Sequence, residues 1–219
     1  MIRFFGQKKV SNTNPNKLIG YEFLLREYVD GRWQLPADFS KFSASEISDL
    51  LEKTIDALPP DLPLLSFNLD QAQFIDAQFS ASITRVFRTR PVHLYVELTE
   101  RDNSVEMNEL VQAAREYRDS GIRVVLDDVG TGDNQSDMAH ALNEFTSEYK
   151  FALQNARANQ EMAGVGTQLK FWSNLAKRHN KIFAIEGFEY PQDLDLARDY
   201  APDVMQGYYF GKPELIALS

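Results

Sequence analysis

The chain has 219 residues, 43% of them hydrophobic, with a formal net charge of −9 and no cysteine. That length supports one well-cored domain and is short for two, so residues 1–219 are expected to form a single unit. The absent thiols exclude disulfides and thiolate metal sites, and the acidic balance argues against polymeric nucleic acid as a partner.

The pattern opens with a hairpin. Arg3-Phe4-Phe5 begins an apolar run, residues 11–16 are dense in turn formers, and a second run over 18–21 ends at Glu22. The first two strands are therefore expected to be antiparallel. Lys8 and Lys9 interrupt the N-terminal run, which is too short for a signal peptide. No stretch is long and apolar enough to span a membrane, so a cytoplasmic protein without a membrane partner is expected.

Ser43 and Glu46 have capping-box spacing, and Ile47, Leu50, Leu51, Ile55 and Leu58 predict one apolar helix face, stopped by Pro59-Pro60. A strand follows over 64–68, a weaker helix over 79–87 and a strand over 92–98. The next helix covers 105–117, with Gly121 just past its end. The strand at 122–126 runs into Asp127-Asp128, and Gly130-Thr131-Gly132 reads as a loop. A helix over 138–145 precedes a short strand ending near Lys150. Residues 153–167 show no clear period, and either a loop or a helix extension fits them. A helix over 169–177, a strand over 182–185, a helix within 191–200 and a strand over 204–210 complete the chain.

Strands alternating with helices imply a largely parallel sheet, and eight strands suggest a closed α/β barrel of the TIM-like (β/α)8 type with an antiparallel first pair. An open doubly wound sheet is the alternative. The absence of a Gly-rich phosphate fingerprint after the first strand counts against its dinucleotide-binding form. In a parallel barrel the C-terminal strand ends share one rim. Those ends carry Glu22, Asn68, Glu97, Asp127 with Asp128, Lys150 and Glu186, and Gln206 lies in the last strand. Taken singly, each reads as solvated charge or a turn. Gathered on one rim, the carboxylates repel one another unless cations join them. With only His93, His140 and His179 as nitrogen ligands, oxygen donors dominate, which suits Mg²⁺ or Mn²⁺. Adjacent aspartates can bridge two such ions, an arrangement fitted to phosphodiester hydrolysis. His93, Trp33, Trp172, Arg88 and Arg90 read as packing or surface residues.

The motifs follow in order: Tyr21-Glu22-Phe23-Leu24-Leu25-Arg26, Phe67-Asn68-Leu69, Glu97-Leu98-Thr99-Glu100, Asp127-Asp128-Val129-Gly130-Thr131-Gly132, Glu186-Gly187-Phe188-Glu189, and Gln206-Gly207-Tyr208-Tyr209-Phe210 with Pro213. Together they resemble the EAL-domain family over nearly the whole chain. The resemblance implies a barrel that hydrolyses cyclic di-GMP to linear pGpG with two Mg²⁺ or Mn²⁺ ions. Carried over by position, it implies Glu22, Asn68, Glu97 and Asp127 as ligands of one ion and Asp127 and Asp128 as ligands of the other. Glu186 would be a second-ion ligand or the general base. Lys150 would position the attacking water, and Arg26, Gln206 and Gln7 would touch the substrate. Glu100 would anchor the Asp-Asp loop.

The chain departs from the family pattern at Lys8, Phe23, Val129, Asp133-Asn134-Gln135 and Ala152. The altered loop after Asp128 bears on metal affinity and on the homodimer that the resemblance implies. Two other readings stay open: an inactive EAL-like barrel that acts as a cyclic di-GMP receptor or protein-interaction regulator, and a two-metal phosphodiesterase with another substrate.

Overall fold

The computed structural model describes residues 1–62, 64–89, 92–99, 105–130 and 135–218. Strand β1 (Ile2–Ser11) turns into β2 (Asn14–Val29), with Gln7 opposite Glu22 and Lys9 opposite Gly20. Asp30 and Gly31 both adopt positive φ, which matches a two-residue hairpin turn into the short β3 (Arg32–Gln34). Helix α1 (Ala44–Asp56) starts at the expected capping box: the Ser43 hydroxyl accepts from the Glu46 N–H, and the Glu46 carboxylate accepts from the Ser43 N–H. Then come β4 (Leu64–Leu69), α2 (Gln71–Ile75), α3 (Ala77–Thr89), β5 (Leu94–Leu98) and α4 (Met107–Asp119). They are followed by β6 (Arg123–Val129), α5 (Gln135–Leu142), β7 (Thr146–Ala152), α6 (Leu153–Ala158), α7 (Val165–His179) and β8 (Ile182–Glu186). A 3₁₀ turn (Pro191–Asp193), α8 (Leu194–Tyr200), β9 (Val204–Gln206) and β10 (Glu214–Leu215) complete the order.

Eight strands close a barrel in the order β1-β2-β4-β5-β6-β7-β8-β9 and back to β1. Strand β1 is antiparallel to both neighbours, and every other neighbouring pair in the ring is parallel. The β1–β9 pairing excludes the open sheet. Because side chains alternate along a strand, each strand sends one set inward and one outward. The outward set meets buried helix residues such as Leu51, Val86, Ala114, Leu169 and Trp172 in the main core. The inward set begins with an apolar plug of Leu64, Tyr95, Val125, Ala184 and Val204. Two residues further along the same strands stand Ser66, Glu97, Asp127, Glu186 and Gln206. The barrel interior thus changes from apolar to polar within one step of the pleat.

Several local expectations differ from the structure. Residues 153–167 are not a simple loop, because α6 occupies their first half and α7 begins at Val165. Helix α5 ends at Leu142, and residues 143–145 turn into β7. Strand β9 stops at Gln206, since Gly207 has φ +150° and a Cβ there would lie 2.3 Å from the Phe188 backbone. The short α2, β3 and β10 had no clear periodic signal.

Candidate functional site

The expected rim residues converge as the alternation dictates, although Glu22 lies within β2 rather than at its end, because β2 runs on to Val29 past its pairing with β4. Glu22 comes from β2, Asn68 from β4, Glu97 from β5, Asp127 and Asp128 from β6, Lys150 from β7 and Glu186 from β8. Glu22, Glu97, Asp127, Lys150 and Glu186 are all buried. At the centre is the Lys150 ammonium. It lies 3.1 Å from Asp127 Oδ1, 3.2 Å from Glu186 Oε2 and 3.5 Å from Glu22 Oε2, and it also pairs with Glu97 Oε2. One cation therefore serves four carboxylates.

Successive strand residues normally point to opposite faces. Asp128 escapes that rule because its φ is +52°, a left-handed conformation that Asp tolerates better than most residues. Its N–H donates to Asp127 Oδ1 at 2.8 Å. Carboxylate oxygens of Asp127, Asp128 and Glu186 consequently lie within 4.8 Å of one another. Side-chain amides steady the ring from outside. Asn68 Nδ2 donates to Glu22 Oε1 at 2.6 Å, Asn155 Nδ2 donates to Asp128 Oδ1 at 2.8 Å, and Gln154 donates to Glu186. Gln206 donates to Glu22 and, at 3.0 Å, to Gln7 Oε1.

The charges are strongly perturbed. Burial works against the Lys150 ammonium, but Asp127, Glu186, Glu22 and Glu97 outweigh it and hold its pKa well above the usual lysine value. Burial would raise Glu97, yet Lys150 and Lys9 together bring it down to about 2. Burial pushes Asp127 well above the ordinary range, against the opposing pull of Lys150, and Glu186, Glu97 and Asp128 add to the rise. Glu186 is pushed up to about 7, first by burial and then by Glu22, Asp128 and Glu97. Six carboxylates (Glu22, Glu97, Asp127, Asp128, Glu148 and Glu186) face two ammonium groups, Lys9 and Lys150, in this interior. Fully ionised, the set carries four uncompensated negative charges. A donor set made only of oxygen with that surplus fits divalent cations.

The site opens into a cavity of about 600 Å³, within the usual range for ligand pockets. It runs from the carboxylates past Arg26 towards Leu35, Asp38 and Ser40. Arg26 is half-buried; its Nη1 donates to the Leu25 carbonyl at 2.8 Å.

The structure thus brings together Gln7, Glu22, Asn68, Glu97, Asp127, Asp128, Lys150, Glu186 and Gln206, with Arg26 on the cavity wall. Glu100 and the loop 131–134 lie outside the described residues. Sequence reasoning missed four participants: Lys9, Glu148, Gln154 and Asn155. The first two share inward faces with Gln7 and Lys150, two positions away, so period-two counting could have found them. No such signal marks Gln154 and Asn155, on a short helix of small and polar residues. His93 is exposed, Trp172 is buried in the core, and Trp33 packs edge-on against Phe5 and Tyr28. No described helix is long and apolar enough to cross a membrane.

Comparison with known proteins matches residues 10–213 to the EAL domain. The chain is 25% identical over 232 residues to a protein of Escherichia coli K12 named "Probable cyclic di-GMP phosphodiesterase PdeN", covering 96% of this chain and 43% of that protein. The related "Probable cyclic di-GMP phosphodiesterase PdeG" of the same organism is also 25% identical, over 93% of this chain and 43% of its own length. The chain thus spans less than half the length of these curated relatives. Among solved structures, the PaMucR phosphodiesterase in complex with c-di-GMP superimposes with a TM-score of 0.79 at 20% identity, covering 97% of this chain and 92% of that one. The Bacillus subtilis YkuI protein, with an EAL domain and bound to substrate c-di-GMP and calcium, gives 0.78 at 19% identity over 100% of this chain and 57% of that one. At these identities the structural likeness establishes the fold.

Proposed function

The chain belongs to the EAL domain family, and on that premise we propose that residues 1–219 form a single barrel domain that hydrolyses cyclic di-GMP to linear pGpG with two Mg²⁺ or Mn²⁺ ions. The observation that carries this reading is the convergence of six carboxylates on one barrel interior, which when fully ionised leaves four negative charges after Lys9 and Lys150 are counted. Two divalent ions cancel that surplus. Glu22, Asn68, Glu97 and Asp127 would hold the first ion, and Asp127 and Asp128 the second. The close grouping of Asp127, Asp128 and Glu186 supports their shared use. When bound, the ions would draw charge from the phosphodiester and acidify a water molecule.

The remaining work falls to side chains. Glu186, with a pKa near 7, can take up a proton at neutral pH if it is not itself a ligand, and Gln154 fixes one of its oxygens. Lys150, reaching from Glu22 to Glu186, is placed to orient a water among these carboxylates and to balance charge that develops on the phosphate. Arg26, on the cavity wall, supplies a cation for a phosphate, and Gln206 and Gln7 supply amide contacts. Glu100 would anchor the Asp-Asp loop. The reading places the protein in the cytoplasm, with a homodimer formed near that loop, and its net charge of −9 disfavours polymeric nucleic acid.

Incubation with cyclic di-GMP and Mg²⁺ or Mn²⁺, followed by chromatography, should yield pGpG, and Glu22→Ala should abolish it. Activity that persists in Glu22→Ala would sink the ligand assignment. Two observations favour a second reading, a non-hydrolysing receptor: Lys150 already pairs with four carboxylates, and Ala152 stands where the family has an aspartate. Nucleotide binding with no pGpG in either metal would select it.

A further inference from the structure

Beneath the ring described above lies a second ammonium that the proposed chemistry does not use. Lys9, on the inward face of β1, has zero exposure, and its Nζ lies 2.7 Å from Glu97 Oε1. Glu97 is also fully buried. Its two oxygens are divided between two cations: Oε1 to Lys9 and Oε2 to Lys150. The two contacts differ in kind. Lys150 is shared among four carboxylates, whereas the ion pair of Lys9 is with Glu97 alone among the described residues. Below them Glu148, also fully buried, has no hydrogen-bond partner for either oxygen among the described residues and adds to the field at Lys9.

A buried ion pair is not a stability device by default, since replacing both partners by hydrophobic residues of similar volume is often neutral or stabilising. A long side chain that ends on one oxygen of one carboxylate does something a hydrophobe cannot: it fixes that carboxylate's rotation. We propose that Lys9 is a positioning residue for Glu97, holding Oε1 so that Oε2 is presented to the ring. The inference rests on the reading of Glu97 as a cation ligand. Residues of this kind, one contact removed from the ligand bond, commonly change metal affinity by roughly 10- to 100-fold when mutated.

The sign of the effect separates positioning from simple electrostatics. Removing a positive charge near a cation site should tighten cation binding if charge alone matters. Loss of orientation should weaken it. Mn²⁺ binding to the full chain, measured by electron paramagnetic resonance without nucleotide, reads this directly. Native protein, Lys9→Met and Lys9→Met/Glu148→Gln are compared, with thermal unfolding in EDTA alongside. Lys9→Met exposes Glu148 to an uncompensated field and is expected to lower Tm. The double variant removes both charges and should recover it. Both variants should bind Mn²⁺ roughly 10- to 100-fold more weakly than native protein. A double variant with native Tm that binds Mn²⁺ as well as or better than the native protein overturns the inference and leaves Lys9 as a counter-charge only. If the native protein itself shows no saturable Mn²⁺ binding, the reading of Glu97 as a ligand fails first, and this inference with it.

Discussion

Replacing Lys150 by Met tests the electrostatic account of the site most severely. Met has comparable length and fits a buried position without a charge. The substitution removes the cation that Glu22, Glu97, Asp127 and Glu186 share, so the fully ionised interior would go from four uncompensated negative charges to five. Breaking a buried pair from one side destabilises by about 3–5 kcal/mol. A domain of this size loses about 2–4 °C of Tm per kcal/mol, so the expected fall in EDTA at pH 8 is about 6–20 °C. Divalent cations should then recover more stability in the variant than in native protein, because they no longer compete with a resident ammonium for the same oxygens. At a concentration one hundred times Kd, the gain is about 2.7 kcal/mol. Thermal unfolding followed by circular dichroism, with EDTA or with saturating Mg²⁺, measures both quantities. A variant within about 2 °C of native in EDTA, or one with no larger Mg²⁺ shift, would refute the placement of Lys150 as the internal counter-charge.

Stability in EDTA should fall as pH rises through neutrality. Glu148 and Glu186 have pKa values near 7 in the folded protein, against 4.5 ordinarily, so the folded state holds their protons more tightly than the unfolded chain. Their contribution is complete below about pH 4.5 and lost as pH rises through about 7, at most about 3 kcal/mol per group. Urea unfolding between pH 5 and 9 checks it, and Glu148→Gln should flatten the profile. Glu186→Gln should lower kcat for pGpG formation by roughly 10²- to 10⁴-fold with KM little changed; a near-native kcat would remove Glu186 from the chemistry. Arg26→Ala should raise KM by roughly 10- to 100-fold, the value of one charged hydrogen bond, without moving Tm by more than about 2 °C. Gly20→Ala should prevent soluble expression or destabilise by more than about 4 kcal/mol, because its Cβ would fall 1.7 Å from the Leu64 carbonyl oxygen.

The parts of the fold and site that could be read from the sequence share one physical origin. Glu22, Asp127 and Glu186 each end an apolar run and Glu97 stands one residue before the end of one, and in parallel strands those positions send them to a common rim. The hairpin between β1 and β2 was legible because its turn formers separate two apolar runs. Lys9 and Glu148 could be read only by counting two positions from Gln7 and Lys150, and closure of the ring by the β1–β9 pairing is what turns those faces into an interior. Residues 153–158 form α6 through packing of Leu153 and Ala156 rather than through periodicity. Gln154 and Asn155 reach the site because that helix starts directly from β7. Val204–Gln206 ended sooner than its apolar run suggested, because the backbone at Gly207 leaves the sheet to pass Phe188.

The left-handed turn at Asp128 separates the shape of the site from its charge. Asparagine accepts that conformation nearly as well as aspartate, whereas a β-branched residue there would strain the end of β6. An Asp-to-Asn change needs only one base substitution in the codon. Such a barrel therefore stands one neutral-looking mutation from losing a proposed cation ligand with its backbone intact. Under the proposed function, Asp128→Asn would cost turnover while leaving the cavity's shape unchanged.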